Sequence, residues 1–181
     1  MRSFWYQRGP TSLIGVYKPE DPLVEIHSFA LMDNHFHLLL KQIKERGVSI
    51  FMQKLGGYSY YFNKKYKRVG SLFQGKFKAV LIRTDKQLKN AFVYVNTNPV
   101  GLIEPNWKEK GIKDFKKSTR FLKEYKWSSC PDYLTEANNY SFIEKEFFLK
   151  LFRGTQGCRE EVESWLKYKV EFNKFKDIAL E

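Results

Sequence analysis

Two of the three histidines sit two positions apart in ALMDNHFHLLL, residues 30–40: His35 and His37, separated by Phe36. Residues i and i+2 of a strand project from the same face. The two imidazoles therefore stand side by side, while Phe36, Leu38 and Leu40 point the other way. A pair of imidazoles can chelate a metal if a third donor approaches; two ordinary polar-face histidines on a half-buried strand would give the same spacing. A second stretch, NAFVYVNTNPV at 90–100, also allows chemistry. Leu88, Phe92 and Val95 form the apolar stripe of a helix, with Gln87, Ala91, Tyr94 and Asn98 forming the stripe beside it. Tyr94 and Asn98 are one turn apart at the edge of the buried face, within reach of a neighbouring strand. The Asn98 amide oxygen would complete a facial metal site with the histidines, with Tyr94 beside the ion. A packing tyrosine and a helix-ending asparagine before Pro99 fit the spacing equally.

The elements that must position these residues follow from pattern. LVEIHSFALM, residues 23–32, alternates as a strand, MDN is a turn signal, and HFHLLL is the return strand of a hairpin. His27 alternates with Glu25 and Phe29 on the first of these strands and reads as structural or as a supporting partner of the site. Val48, Phe51, Met52, Leu55, Ser59 and Phe62 have helical spacing, although Gly56 and Gly57 each cost about 1 kcal/mol in a helix interior. KFKAVLIR, 76–83, reads as a third strand. Thr84 with Gln87 is a capping box, opening a helix that runs to about Asn96 before Pro99 stops it. Residues 1–21 are irregular and broken by prolines; residues 105–181 are mostly helical and, from 140 onward, balanced in charge.

The 181 residues carry 32 Lys and Arg against 20 Asp and Glu, a net charge of +12. Between Lys41 and Lys89 thirteen basic residues face only Glu45 and Asp85, so nearly the whole excess lies in about a quarter of the chain. Such a concentration favours a polyanion, nucleic acid before anionic membrane. Tyr58, Tyr60 and Tyr61 precede Lys64, Lys65, Lys67 and Arg68, an interleaving of rings and cations that suits single-stranded nucleic acid. No run approaches the roughly 20 apolar residues of a membrane span, the N-terminus has no secretory pattern, and Cys130 and Cys158 lack metal-type spacing. A cytoplasmic protein is expected.

Four blocks in order, LMDNHFHLLLKQ, LFQGKFKAVLI, YVNTNPVGLIE and WSSCPDYL, make the chain resemble the single-tyrosine HUH transposases, in the insertion-sequence group related to REP-associated tyrosine transposases. The resemblance spans roughly residues 23–134. It implies a ferredoxin-like fold and metal-dependent cleavage and transfer of single-stranded DNA, as in DNA transposition. It carries His35 and His37 onto the metal-binding pair, Asn98 onto the third ligand, and Tyr94 onto the nucleophile that forms a 5′-phosphotyrosine. The ion would be Mg²⁺ or Mn²⁺; imidazole ligands favour Mn²⁺, whereas Mg²⁺ prefers oxygen. The partner would be single-stranded DNA folded as a hairpin, held by Lys64, Lys65, Arg68, Gln74, Lys76, Lys78 and Arg83, with the protein a monomer or homodimer.

The expected fold class is therefore α+β: a ferredoxin-like antiparallel sheet with helices on one face, its first strand and helix absent or divergent, plus a helical tail. The expected domains are an irregular segment at 1–22, a catalytic domain at 23–134 and a helical extension at 135–181. Three features depart from the family pattern. Asp33 stands where a proline is usual, Asn96 where a histidine is common, and the family's first strand and helix are not evident before residue 23. A relaxase or replication-initiator nickase shares the site logic, but the block order and the lack of a second nearby tyrosine favour the transposase. The alternatives of another class are a non-catalytic nucleic-acid-binding protein that keeps the fold, and a basic α+β domain with a structural metal.

Overall fold

The computed structural model describes residues 20–73 and 75–167. The family's first strand and helix would fall largely on residues 1–19, outside the described residues, as does Gln74.

The histidine stretch forms the hairpin its alternation implies. Strand β1, Val24–Leu31, pairs antiparallel with β2, Phe36–Gln42, from Val24 opposite Gln42 to Leu31 opposite Phe36, with a register shift at His27. The connection Met32–His35 is closed by the Met32 amide donating to the His35 carbonyl at 2.8 Å. The pleat has an unexpected consequence. On β2 the fully buried residues are His37 and Leu39, whereas Phe36, Leu38 and Leu40, on the other face, are only half-buried. The histidine face is thus the one turned into the protein.

β1 is buried over His27–Ala30, and its edge away from β2 is closed by two later segments. Leu31 donates to the Trp127 carbonyl (2.8 Å), Ser129 donates to the Phe29 carbonyl (2.9 Å), and Glu144 donates to the Ile26 carbonyl (2.9 Å). These bonds satisfy an edge that would otherwise invite pairing with another chain.

Helix α1, Gly47–Tyr66, runs through Gly56 and Gly57 without a break, and Gly47 is its only buried residue. Lys67, in the left-handed conformation at φ 50°, ends it. The third strand expected at 76–83 is not formed. Lys76–Leu81 are all exposed, and the stretch has no ladder partner among the described residues. Alternation marks a segment fit for a strand, but only a neighbouring edge makes it one. Helix α2, Asp85–Thr97, begins at the expected cap: Thr84 Oγ1 accepts from the Gln87 amide at 3.2 Å, and Gln87 Oε1 accepts from the Arg83 amide at 2.8 Å. It passes into a 3-10 turn, Asn98–Leu102, where Pro99 can no longer extend an α-helix.

The remaining described residues are mostly helical, as expected: α3 (Trp107–Lys110), α4 (Phe115–Glu124), α5 (Cys130–Leu134), α6 (Glu146–Leu151) and α7 (Thr155–Lys167). Phe92 of α2 stacks on Phe148 of α6 at 4.5 Å between centroids and meets Tyr133 of α5 edge-on at 4.8 Å. Cys158, Val162 and Leu166 of α7 close the same cluster. Burying an aromatic or branched side chain of this kind contributes about 1.5–3 kcal/mol. One core therefore joins the hairpin, α2 and the C-terminal helices, and the class is α+β. Among the described residues, no helix is long and apolar enough to cross a membrane.

Candidate active site

The hairpin brings the two imidazoles together. Nε2 of His35 lies 3.1 Å from Nε2 of His37, and the rings meet edge to face with centroids 4.8 Å apart. Two ligands about 2.1 Å from one metal, at right angles, would be about 3.0 Å apart. The exposed His35 donates Nδ1–H to Asn34 Oδ1 at 2.7 Å, because an amide oxygen only accepts. That bond fixes the tautomer and leaves the His35 Nε2 lone pair facing outward from the ring. His37 is 3% exposed. Burial first, then the nearby His35 and Lys108, push its pKa down to about 4, so it is a neutral imidazole near pH 7. Its Nδ1 has no hydrogen-bond partner, so the proton that Nε2 shares with His35 can move there, which gives up that one bond and frees Nε2 as a ligand.

Helix α2 supplies the other half. The Tyr94 ring stands edge-on to the His37 ring, centroids 5.5 Å apart at 85°. Asn98, one turn on, is buried; its Nδ2 donates to the Tyr94 carbonyl at 2.9 Å, which points Oδ1 away from the helix. That oxygen accepts from Lys108 Nζ at 2.9 Å, and the same ammonium lies 4.3 Å from the Tyr94 ring centroid. Tyr94, Asn98, His37 and His35 thus form one cluster, as their spacing allowed. Lys108 is its unanticipated fifth member. Nothing in the chain announces it: it comes ten residues after Asn98, beside the buried Trp107 that anchors α3.

A second group went unanticipated, the clamp that holds α2 on β1. Asn96 is fully buried. Its Nδ2 donates to Ser28 Oγ (3.1 Å) and to the Phe92 carbonyl (2.9 Å), and its Oδ1 accepts from Ser129 Oγ at 2.8 Å. Ser129 Oγ also accepts the Phe29 amide at 3.0 Å. The asparagine at the position where histidine is common is therefore a packing bond, directed away from the metal-type donors. Ser129 of WSSC is one of its partners, and its place in an ordered block was the one available signal. His27 is structural, as one of its readings had it: its Nδ1 bonds the Glu144 carbonyl at 2.8 Å and its ring packs between Phe147 and Phe148.

The donors suit a divalent ion: two imidazole nitrogens at ligand spacing and one amide oxygen. No group of three or more His, Cys, Asp or Glu could hold a metal among the described residues, as expected where the third donor is an amide. The basic residues lie apart from this cluster. Lys64, Lys65 and Arg68 are exposed at the end of α1, and Lys76, Lys78 and Arg83 are exposed on the extended segment that follows. Between the two regions, Phe73 packs edge-on against Phe36, the residue between the histidines, at 5.4 Å.

Residues 17–98 match the family model described as "Transposase IS200 like". Over this stretch, 82 of the 181 residues, the chain is similar to the IS200-like transposases. The match contains both halves of the cluster, the histidine hairpin and the tyrosine helix, and stops at Asn98. Lys108 and the Ser129 clamp lie beyond it. No curated protein and no solved structure matches the chain. The similarity is to a transposase family, whose substrate class is DNA.

Proposed function

We propose that this protein cleaves and rejoins single-stranded DNA in transposition, with Tyr94 as nucleophile and His35, His37 and Asn98 as the ligands of a divalent cation, Mg²⁺ or Mn²⁺. The observation that carries the reading is the approach of Tyr94 to His37, at 5.5 Å between rings, beside two imidazole nitrogens 3.1 Å apart. When bound, the ion supplies polarisation of the scissile phosphate and offsets its charge. The chain's own residues do the rest. His37, kept neutral by burial, holds its lone pair ready. Asn34 fixes the His35 tautomer. Tyr94 Oη attacks phosphorus in line: the Oη–P bond forms, the P–O3′ bond breaks, and the phenolic proton leaves to solvent as the 3′-oxygen takes one up. The 5′-phosphotyrosine keeps the bond energy, so a second 3′-OH can reverse the step without ATP.

DNA in hairpin form would run over Lys64, Lys65, Arg68, Gln74, Lys76, Lys78 and Arg83, with the exposed tyrosines of α1 as stacking surfaces. The protein would act in the cytoplasm, as a monomer or homodimer, with residues 23–134 as the catalytic part.

The test uses single strands from both flanks of the protein's own gene, incubated with Mn²⁺ and run on a denaturing gel beside Tyr94→Phe. A covalent protein–DNA band that disappears in the mutant is expected. DNA binding by both proteins with no such band would overturn the catalytic reading in favour of a non-catalytic DNA-binding protein.

A further inference from the structure

We propose that Lys108 is a resident cation of the site that serves two ligands in turn, the Asn98 oxygen in the metal-free protein and a DNA phosphate oxygen in the loaded one. The inference rests on the metal-site reading above.

Two observations place it. Lys108 Nζ donates to Asn98 Oδ1 at 2.9 Å, the oxygen proposed as the third ligand. The same ammonium sits 4.3 Å from the centroid of the Tyr94 ring, a distance at which a cation is attracted to the ring face. One lysine thus touches two of the four proposed site residues. Trp107, 4% exposed, holds the short helix that carries it against the 3-10 turn, near Gly101.

An ammonium and a divalent cation want the same lone pair, and at this range they repel. Lys108 therefore holds Asn98 in place while no ion is bound and weakens ion binding in the absence of DNA. A phosphate between the two cations reverses the sign: each then attracts it, and the lysine that opposed the ion now shares its ligand. Lys suits this exchange because its ammonium is a compact point charge on a flexible stem. Since coupling is reciprocal, DNA should raise the affinity for the ion by the same factor as the ion raises the affinity for DNA.

The experiment measures Mn²⁺ affinity of the full chain by electron paramagnetic resonance of the free ion, with and without a single-stranded oligonucleotide. Wild type is compared with Lys108→Met, Lys108→Gln and Lys108→Arg, with His35→Ala as a control for the metal site. Without DNA the two neutral variants should bind Mn²⁺ about tenfold more tightly than wild type, and Lys108→Arg about as wild type. At saturating Mn²⁺ the neutral variants should form adduct at least tenfold more slowly. Glutamine keeps a donor for Asn98, so a tightening shared by Met and Gln reads the charge rather than the packing. Neutral variants that bind Mn²⁺ no better than wild type, while His35→Ala loses it, would overturn this inference alone. So would unchanged adduct formation at saturating Mn²⁺. A wild type that binds no Mn²⁺ would overturn the metal site and this inference together.

Discussion

Asn96 offers the sharpest test of how the tyrosine helix is held. Its side chain is fully buried and makes three hydrogen bonds, to Ser28 Oγ, the Phe92 carbonyl and Ser129 Oγ. Asn96→Ala removes all three. A net hydrogen bond contributes about 1 kcal/mol, and a buried polar group left without its partner costs about 1–3 kcal/mol. Ser129 Oγ keeps its contacts to the Phe29 amide and carbonyl, which limits the loss. Alanine also favours helix over asparagine by several tenths of a kcal/mol, roughly. The balance is a destabilisation of about 2–4 kcal/mol, read as a lower urea midpoint with unchanged slope at pH 7. Asn96→Asp should cost more at that pH. It loses both donors and puts a carboxylate against the Phe92 carbonyl, and part of the loss should return as acid protonates it. An Asn96→Ala protein within about 0.5 kcal/mol of wild type would refute the clamp as the device that seats α2.

Two further outcomes follow from geometry. The folded pKa of His37, about 4 against 6.5, means the unfolded chain takes up a proton between those values that the folded chain refuses. Its contribution is fully present above about pH 6.5 and is lost as pH falls to about 4, by about 3 kcal/mol. The difference between wild-type and His37→Gln stability curves should show that window, and a flat difference would contradict it. Gly47→Ala would drive a Cβ into the Leu23 carbonyl at the start of α1. The expected cost is about 1–3 kcal/mol, read as a lower melting temperature, and an unchanged melting temperature would count against that close approach.

Local pattern announced the hairpin and α2 because their signals are local. Alternation, the MDN turn, the Thr84 cap and Pro99 each act within a few residues, and each appears where expected. Strand 76–83 shows the reverse case: KFKAVLIR has strand alternation, yet pairing depends on an edge far away. The buried histidine face was likewise illegible, since Phe36, Leu38 and Leu40 made the other face look like the core. His35, His37, Tyr94 and Asn98 were readable because i+2 and i+4 spacing puts each pair on one surface. Lys108 and Ser129 were not. Each comes to its partner from a separate element, ten residues from Asn98 and 33 from Asn96, with no periodicity to link them.

The closure of β1 has a consequence in time. The bonds that satisfy its outer edge come from residues 127, 129 and 144, about a hundred positions downstream. A ribosome adding about 5–20 residues per second takes on the order of ten seconds to deliver them after the hairpin has emerged. For that interval the nascent chain has its histidine hairpin but neither the clamp nor the cover. Pairings this distant also slow folding once synthesis is complete. A polypeptide ending at residue 98, where the family match stops, would remain in that waiting state: a hairpin with a bare edge, ready to pair with the nearest neighbour.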